Sequence, residues 1–186
     1  CLGIELFVLP GFGVFGIGQD DLGLSFLPLA HVYERIADYG YLSCGVSLAY
    51  LAKIEEVSQA LLEVRPTVTA AVPRFFEKLY ANILEAGAQV TGPRRRLFDW
   101  SINVARRAVR WRAYGLPVGA GVKAQWWLAD KLVYEKFRAG VGGRIRLFIS
   151  GGAPLAAELA EFFTTVGIPI SQGYGLTETS PVITNN

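Results

Sequence analysis

The chain has 186 residues, 52% hydrophobic and 18% charged, with 18 basic against 16 acidic side chains and a formal net charge of +2. That length and apolar content exclude intrinsic disorder and suit one sizeable packed domain. Two cysteines, Cys1 and Cys44, exclude a disulfide framework and a cysteine metal motif, and fit a reducing, cytoplasmic setting.

The opening CLGIELFVLPGFGVFGIG is apolar but carries Glu5, Pro10 and five glycines. It reads neither as a membrane span nor as a signal peptide. No methionine occurs anywhere, so the sequence reads as a segment of a longer protein. GFGVFG (11–16) matches the dinucleotide pattern G-x-G-x-x-G. That site needs a helix immediately afterwards, whereas IGQDD and a strand follow, so the match is a decoy.

From there strands alternate with helices. LGLSFLPL (22–29) reads as a buried strand and HVYERIADYGYL (31–42) as a helix. VSLAYL (46–51) is strand, IEEVSQALLEV (54–64) helix and TVTAAV (67–72) strand, and Pro73 opens another helix. Two helices follow with no strand between them. The first puts Leu97, Val104, Ala108 and Trp111 on one stripe, with Arg106 and Arg110 pointing away. The second carries Trp127, Leu128, Lys131, Leu132 and Phe137 until the glycines of AGVGG stop it. IRLFIS (145–150) is strand, LAAELAEFF (155–163) helix, and IPISQGYG (168–175) a last strand running into a loop. The pattern predicts an α/β fold, a mostly parallel sheet with helices on both faces. Ligands of such sheets bind beyond the carboxyl ends of the strands. The residues to watch are therefore Pro28–His31, Val72–Arg74, Ser150–Pro154 and Gly173–Thr179, which such a sheet brings to one rim.

The charge is unevenly spread. From Arg94 to Arg146 there are thirteen basic residues against Asp99, Asp130 and Glu135. Such a surface suits phosphates, an anionic membrane or a nucleic acid, or is simply a solvated helical face. SGGAP (150–154) is either a tight strand-to-helix turn with Pro154 at the helix start, or bare backbone on which a flat ring can lie. GYGLTETSP (173–181) has no lysine, arginine or histidine. Its threonine hydroxyls can donate to phosphate oxygens, and Glu178 can give one oxygen to a Mg2+ that keeps most of its waters. Otherwise it is a turn-rich loop. His31, the one histidine, falls at a strand-to-helix junction. No Ser/His/Asp or Cys/His set can be built around it.

Taken together, LSFLPLAHVYER, RPTVTAAVPRFFEKLY, LFISGGAPL and GYGLTETSPV resemble the long-chain fatty acid–CoA ligases of the adenylate-forming, AMP-binding superfamily. The resemblance runs from Ile17 to Asn186, and the opening residues carry none of it. It implies part of the large N-terminal adenylation domain, with residues 92–142 as a basic helical segment. It also implies an activity: a fatty acid and Mg·ATP give an acyl-adenylate, from which coenzyme A displaces AMP. By position, Gly151, Gly152, Ala153 and Pro154 match the adenine and acyl pocket lining. Tyr174 matches the adenine-packing aromatic, and Gly173 and Gly175 the backbone beside the reacting carboxylate. Thr177 matches the phosphate-binding hydroxyl, Glu178 the Mg2+ ligand and His31 the mouth of the acyl pocket; Thr177, Glu178 and His31 form the expected catalytic set.

ATP, Mg2+ and coenzyme A are the implied cofactors and co-substrates, and fatty acid and coenzyme A the implied partners, with no nucleic acid. The oligomeric state is left open, as is a peripheral position at the inner face of a membrane. The family's Ser/Thr/Gly-rich phosphate loop is not in this sequence. Nor are its ribose-binding aspartate, hinge and lysine-bearing C-terminal domain, so the chain alone is expected to be inactive. In some relatives an aromatic gates the acyl tunnel four residues after the histidine; here Arg35 stands there. The alternatives are another adenylate-forming enzyme (acyl-AMP, aryl or amino acid ligase) or a non-catalytic membrane- or partner-binding piece.

Overall fold

The structure, a computed structural model, describes residues 15–174 and, as a short strand, 184–185. The elements in chain order begin with β1 (Leu22–Ser25), α1 (Val32–Ser43), β2 (Ser47–Tyr50), α2 (Val57–Val64) and β3 (Val68–Ala71). Next come α3 (Pro73–Gln89), α4 (Gly92–Arg112), α5 (Ala120–Ala129), a π turn (Asp130–Tyr134) and α6 (Glu135–Ala139). β4 (Leu147–Ser150), α7 (Ala157–Thr165), β5 (Ile170–Tyr174) and β6 (Thr184–Asn185) complete the order. The strands lie in the order β2-β1-β3-β4-β5-β6. The first five run parallel and β6 antiparallel, as the alternating pattern predicts.

The chain steps from β1 outward to β2, then back past β1 to β3, β4 and β5. Right-handed crossovers therefore place α1 on one face of the sheet and the later helices on the other. The packing follows that rule. Val68, Ala70, Leu147 and Ile149 meet Ala37 and Tyr41 of α1. Ala71 and Phe148 join Leu61, Phe76, Val104 and Phe163 in the larger core. β3 and β4 are buried along their whole length because both their faces are covered. The direction of winding reverses between β1 and β3, and in wound sheets that reversal opens the ligand crevice.

At the amino ends of the strands, Asp21 ties β1, β3 and β4 together. Its Oδ1 accepts from the Thr67 hydroxyl at 2.6 Å and from Arg146 Nε at 2.7 Å. Its Oδ2 accepts from the Gly18 amide at 3.0 Å and pairs with the Arg146 guanidinium.

Two elements depart from the sequence pattern. The strand expected over 22–29 ends at Ser25. The amides of Phe26 and Leu27 turn away from the ladder to a side chain of α1, and Pro28 has no N–H to offer. The second long helix is interrupted by the π turn and buries a different stripe from the one its large apolar residues suggest. Ala129, Val133 and Tyr134 face the core, whereas Trp127 (62% exposed), Leu128 and Leu132 face outward. By contrast, α4 buries Val104 and Ala108 and exposes Arg106 and Arg110, as its periodicity predicts.

Candidate functional site

The carboxyl ends of β1, β3, β4 and β5 form one rim. Beside the switch point, threonines add to the ladder between β1 and β3. Thr69 Oγ1 donates to the Leu24 carbonyl at 2.5 Å, and Thr67 Oγ1 accepts from the Leu22 amide at 2.9 Å. α1 drops its first turn over the gap. His31 caps this helix, its Nδ1 accepting from the Tyr33 amide at 3.1 Å. The same residue closes the preceding turn through its own amide, 2.9 Å from the Pro28 carbonyl. An imidazole acceptor satisfies one of the orphan donors of the helix start.

Below that cap, α1 carries two acids on its buried side. Glu34 is 1% exposed and Asp38 3%. Glu34 Oε1 accepts from the amides of Phe26 (3.1 Å) and Leu27 (3.4 Å), which fixes the loop from β1 to His31. Asp38 Oδ2 accepts from the Ser25 hydroxyl at 3.0 Å. Glu34 Oε2, Asp38 Oδ1 and, at the end of β4, Ser150 Oγ are buried with no hydrogen-bond partner among the described residues. Burial foremost, with the Asp38 charge adding to it, pushes the Glu34 carboxyl up to about 7. Burial raises Asp38 as well.

Tyr33 crosses from α1 to the central strands. Its hydroxyl donates to the Ile149 carbonyl at 2.8 Å and lies 3.4 Å from that of Ala71. The ring lies on Gly151: a Cβ there would stand 2.5 Å from Cε2 and 2.8 Å from Cζ. The glycine of SGGAP does let a flat ring lie on bare backbone, and the ring is the protein's own. Gly152 has a φ of +81°, a left-handed turn that glycine adopts without strain. Pro154 lies ahead of α7, which starts at Ala157, rather than at the helix start.

Of the residues singled out in the sequence, His31, Gly151, Gly152, Ala153, Pro154, Gly173 and Tyr174 stand on or beside this rim. Tyr174 is 61% exposed at the end of β5. Gly175, Thr177 and Glu178 lie outside the described residues, as does most of GFGVFG. Tyr174 pairs with Thr184 and Gly173 with Asn185, which sets β6 against β5. Arg35 points its Nε at the Leu29 carbonyl, 3.3 Å away. Among the described residues no three His, Cys, Asp or Glu side chains gather closely enough to hold a metal ion. Nor is any helix among them long and apolar enough to cross a membrane.

Tyr33, Glu34 and Asp38 were not picked out by the sequence reading. A signal was available. Positions 34, 37, 38 and 41 follow helical spacing, so two acids share the stripe of Ala37 and Tyr41, where a solvated carboxylate has no place.

The sequence profile of AMP-binding enzymes matches residues 7–186. Over 159 residues the chain is 40% identical to a long-chain-fatty-acid–CoA ligase, FadD15, of Mycobacterium bovis, covering 84% of this chain and 26% of that protein. Over 167 residues it is 36% identical to the peroxisomal long chain acyl-CoA synthetase 6 of Arabidopsis thaliana, covering 89% and 22%. The chain thus spans about a quarter of the length of these relatives. Among solved structures, the adenylation domain of a Mycobacterium chelonae carboxylate reductase superposes with a TM-score of 0.62 at 22% identity, over 89% of this chain and 22% of that one. The N-terminal domain of FACL13 from Mycobacterium tuberculosis gives 0.59 at 19% identity, over 98% and 34%. These structures share the fold. With the profile matched over nearly its whole length, the chain belongs to the family of AMP-binding enzymes.

Proposed function

We propose that this chain forms the central part of the adenylation domain of an ATP-dependent long-chain fatty acid–CoA ligase. The observation that carries the reading is its 36–40% identity, over most of its length, to proteins named for that activity. In the proposed reaction a fatty-acid carboxylate oxygen attacks the α-phosphorus of ATP. Its bond to pyrophosphate breaks, and the thiol of coenzyme A, losing its proton, then displaces AMP from the acyl carbon. Both partners of the first step are anions, so the site must neutralise charge and hold an in-line geometry. Bound Mg2+ would supply Lewis-acid neutralisation at the phosphates.

In this reading Glu178 holds the Mg2+, and Thr177 donates to a phosphate oxygen. Tyr174 packs the adenine, Gly173 and Gly175 let the carboxylate approach the backbone, and Gly151–Pro154 line the pocket beneath. A polyphosphate-bound Mg2+ keeps most of its waters, so one carboxylate suffices. His31, tied by Nδ1 to its own helix start, presents the rest of its ring at the pocket mouth. Because Tyr33 already covers Gly151, it acts as the floor against which the acyl group rests.

Full-length protein should catalyse fatty-acid-dependent ATP–pyrophosphate exchange. The Glu178→Ala variant should lower that rate by at least about tenfold, some 1.4 kcal/mol, and weaken its Mg2+ dependence. An unchanged rate with a normal metal response removes Glu178 from the metal. Competition among fatty, aryl and amino acids separates this reading from the other adenylate-forming activities.

A second reading, compatible with the first, concerns the basic helices. Trp127, Leu128 and Leu132 are exposed on the α5 side, amid cations such as Lys123 and Lys131. That combination suits peripheral contact with an anionic bilayer. Sedimentation with phosphatidylglycerol vesicles should fall severalfold for Trp127→Ser with Arg106→Gln and Arg110→Gln, and should weaken with salt. Equal sedimentation of variant and parent discards this reading.

A further inference from the structure

On the face of the sheet opposite α1, the helices α3, α4 and α6 line a cavity of about 800 Å³ that is open to solvent on one side. Its size falls within the roughly 300–1,000 Å³ of small-molecule pockets. α3 and α4 touch where Gly87 meets the ring of Phe98, a contact with no room for a Cβ. On either side of that contact the walls are apolar: Ile83 and Val90 from α3, Leu97 from α4, Phe137 from α6. Among the described residues, the charged ones lining it are Arg94 and Lys136, both exposed, and no acidic side chain joins them. Nothing in the rim chemistry uses this space, since Tyr33 and Glu34 work from the other face of the sheet.

We propose that this cavity is a second ligand site, which takes a free long-chain fatty acid with its chain in the cleft lined by α3, α4 and α6 and its carboxylate at Arg94 and Lys136. The largely apolar walls suit an alkyl chain, and two cations with no acid beside them among the described residues suit an anionic head. Each methylene that leaves water for such a wall raises affinity by up to roughly fourfold, so binding strengthens steeply with chain length. The site is independent of the ligase reading.

The test uses full-length protein and a hexadecanoic acid analogue bearing a diazirine at its chain end, with labelled peptides mapped by mass spectrometry. Label is expected in peptides covering residues 79–98 and 132–140, with palmitate competing it away and hexadecanol failing to. Ile83→Trp, which fills the cavity, should cut that label at least fivefold. So should Arg94→Glu with Lys136→Glu, whose exposed positions leave the fold intact by circular dichroism. Label confined to other peptides, label indifferent to both variants, or equal competition by hexadecanol overturns the proposal. The first of these is also what a cavity closed by another part of the protein would give. Absent fatty-acid-dependent pyrophosphate exchange with this labelling intact would overturn the ligase reading alone.

Discussion

Replacing Gly151 by valine is expected to destabilise the protein by about 1–3 kcal/mol, the usual range for overpacking. On a chain of this size that lowers the unfolding midpoint by roughly 2–10 °C. In full-length protein, the adenylate formation proposed above should fall more than tenfold. The cause is steric. Gly151 does not have the left-handed φ of its neighbour Gly152, so its backbone would accept a side chain. What it cannot accept is the volume, because the Tyr33 ring occupies the place of the Cβ. Tyr33 cannot easily give way, since its hydroxyl is held by the Ile149 carbonyl at 2.8 Å. A double-mutant cycle isolates the contact: Tyr33→Ala should recover much of the loss caused by Gly151→Val. If the two losses simply add, the ring is not what Gly151 makes room for.

The two sides of this contact also show what could be read from the residues. The element order, the parallel sheet and the placing of SGGAP at a strand end follow from period and composition, because buried parallel strands are short apolar runs set between segments of helical period. His31 at a helix entrance was equally legible. Its neighbour Tyr33 was not. Its partners Ala71, Ile149 and Gly151 are 38 to 118 residues away, and only the winding of the chain brings them together. The end of β1 was misread for a similar reason. Phe26 and Leu27 are apolar enough for a strand, and the competition for their amides comes from Glu34. Trp127 and Leu128 mislead in the opposite sense: both are exposed, and the core takes Trp126, Ala129 and Val133 from the neighbouring face of the helix. Composition sees the side chains but not the hydrogen-bond register that turns them.

Glu34→Gln is expected to flatten the pH dependence of stability between about pH 5 and pH 7.5. In the folded protein burial lifts this carboxyl from an ordinary 4.5 to about 7, so the fold holds the proton more tightly than the unfolded chain does. Its contribution is therefore complete below pH 4.5 and is lost as the pH rises through 7, a change on the order of 3 kcal/mol. Asp38, also raised by burial, acts in the same direction. Asp21 acts in the other: the Arg146 hydrogen bond holds its carboxyl at about 2, below an ordinary 3.8, and that stabilisation disappears as the pH falls toward 2. These three acids together favour a stability maximum near pH 4–5 and a decline toward neutrality. Glutamine keeps an acceptor oxygen for the Phe26 and Leu27 amides and cannot ionise, so it should lose little at pH 5 and gain on the parent at pH 8. Glu34→Ala should instead lose about 2–4 kcal/mol at pH 4.5, because it leaves two amides without an acceptor and a void beneath the rim loop. That deficit should shrink toward pH 8, where ionisation of Glu34 destabilises the parent alone. Denaturation midpoints at pH 4.5, 6 and 8 for the three proteins decide the matter. A parent no more sensitive than Glu34→Gln would mean that the carboxyl under the switch point reaches solvent, and that the loop leading to His31 is held by something else.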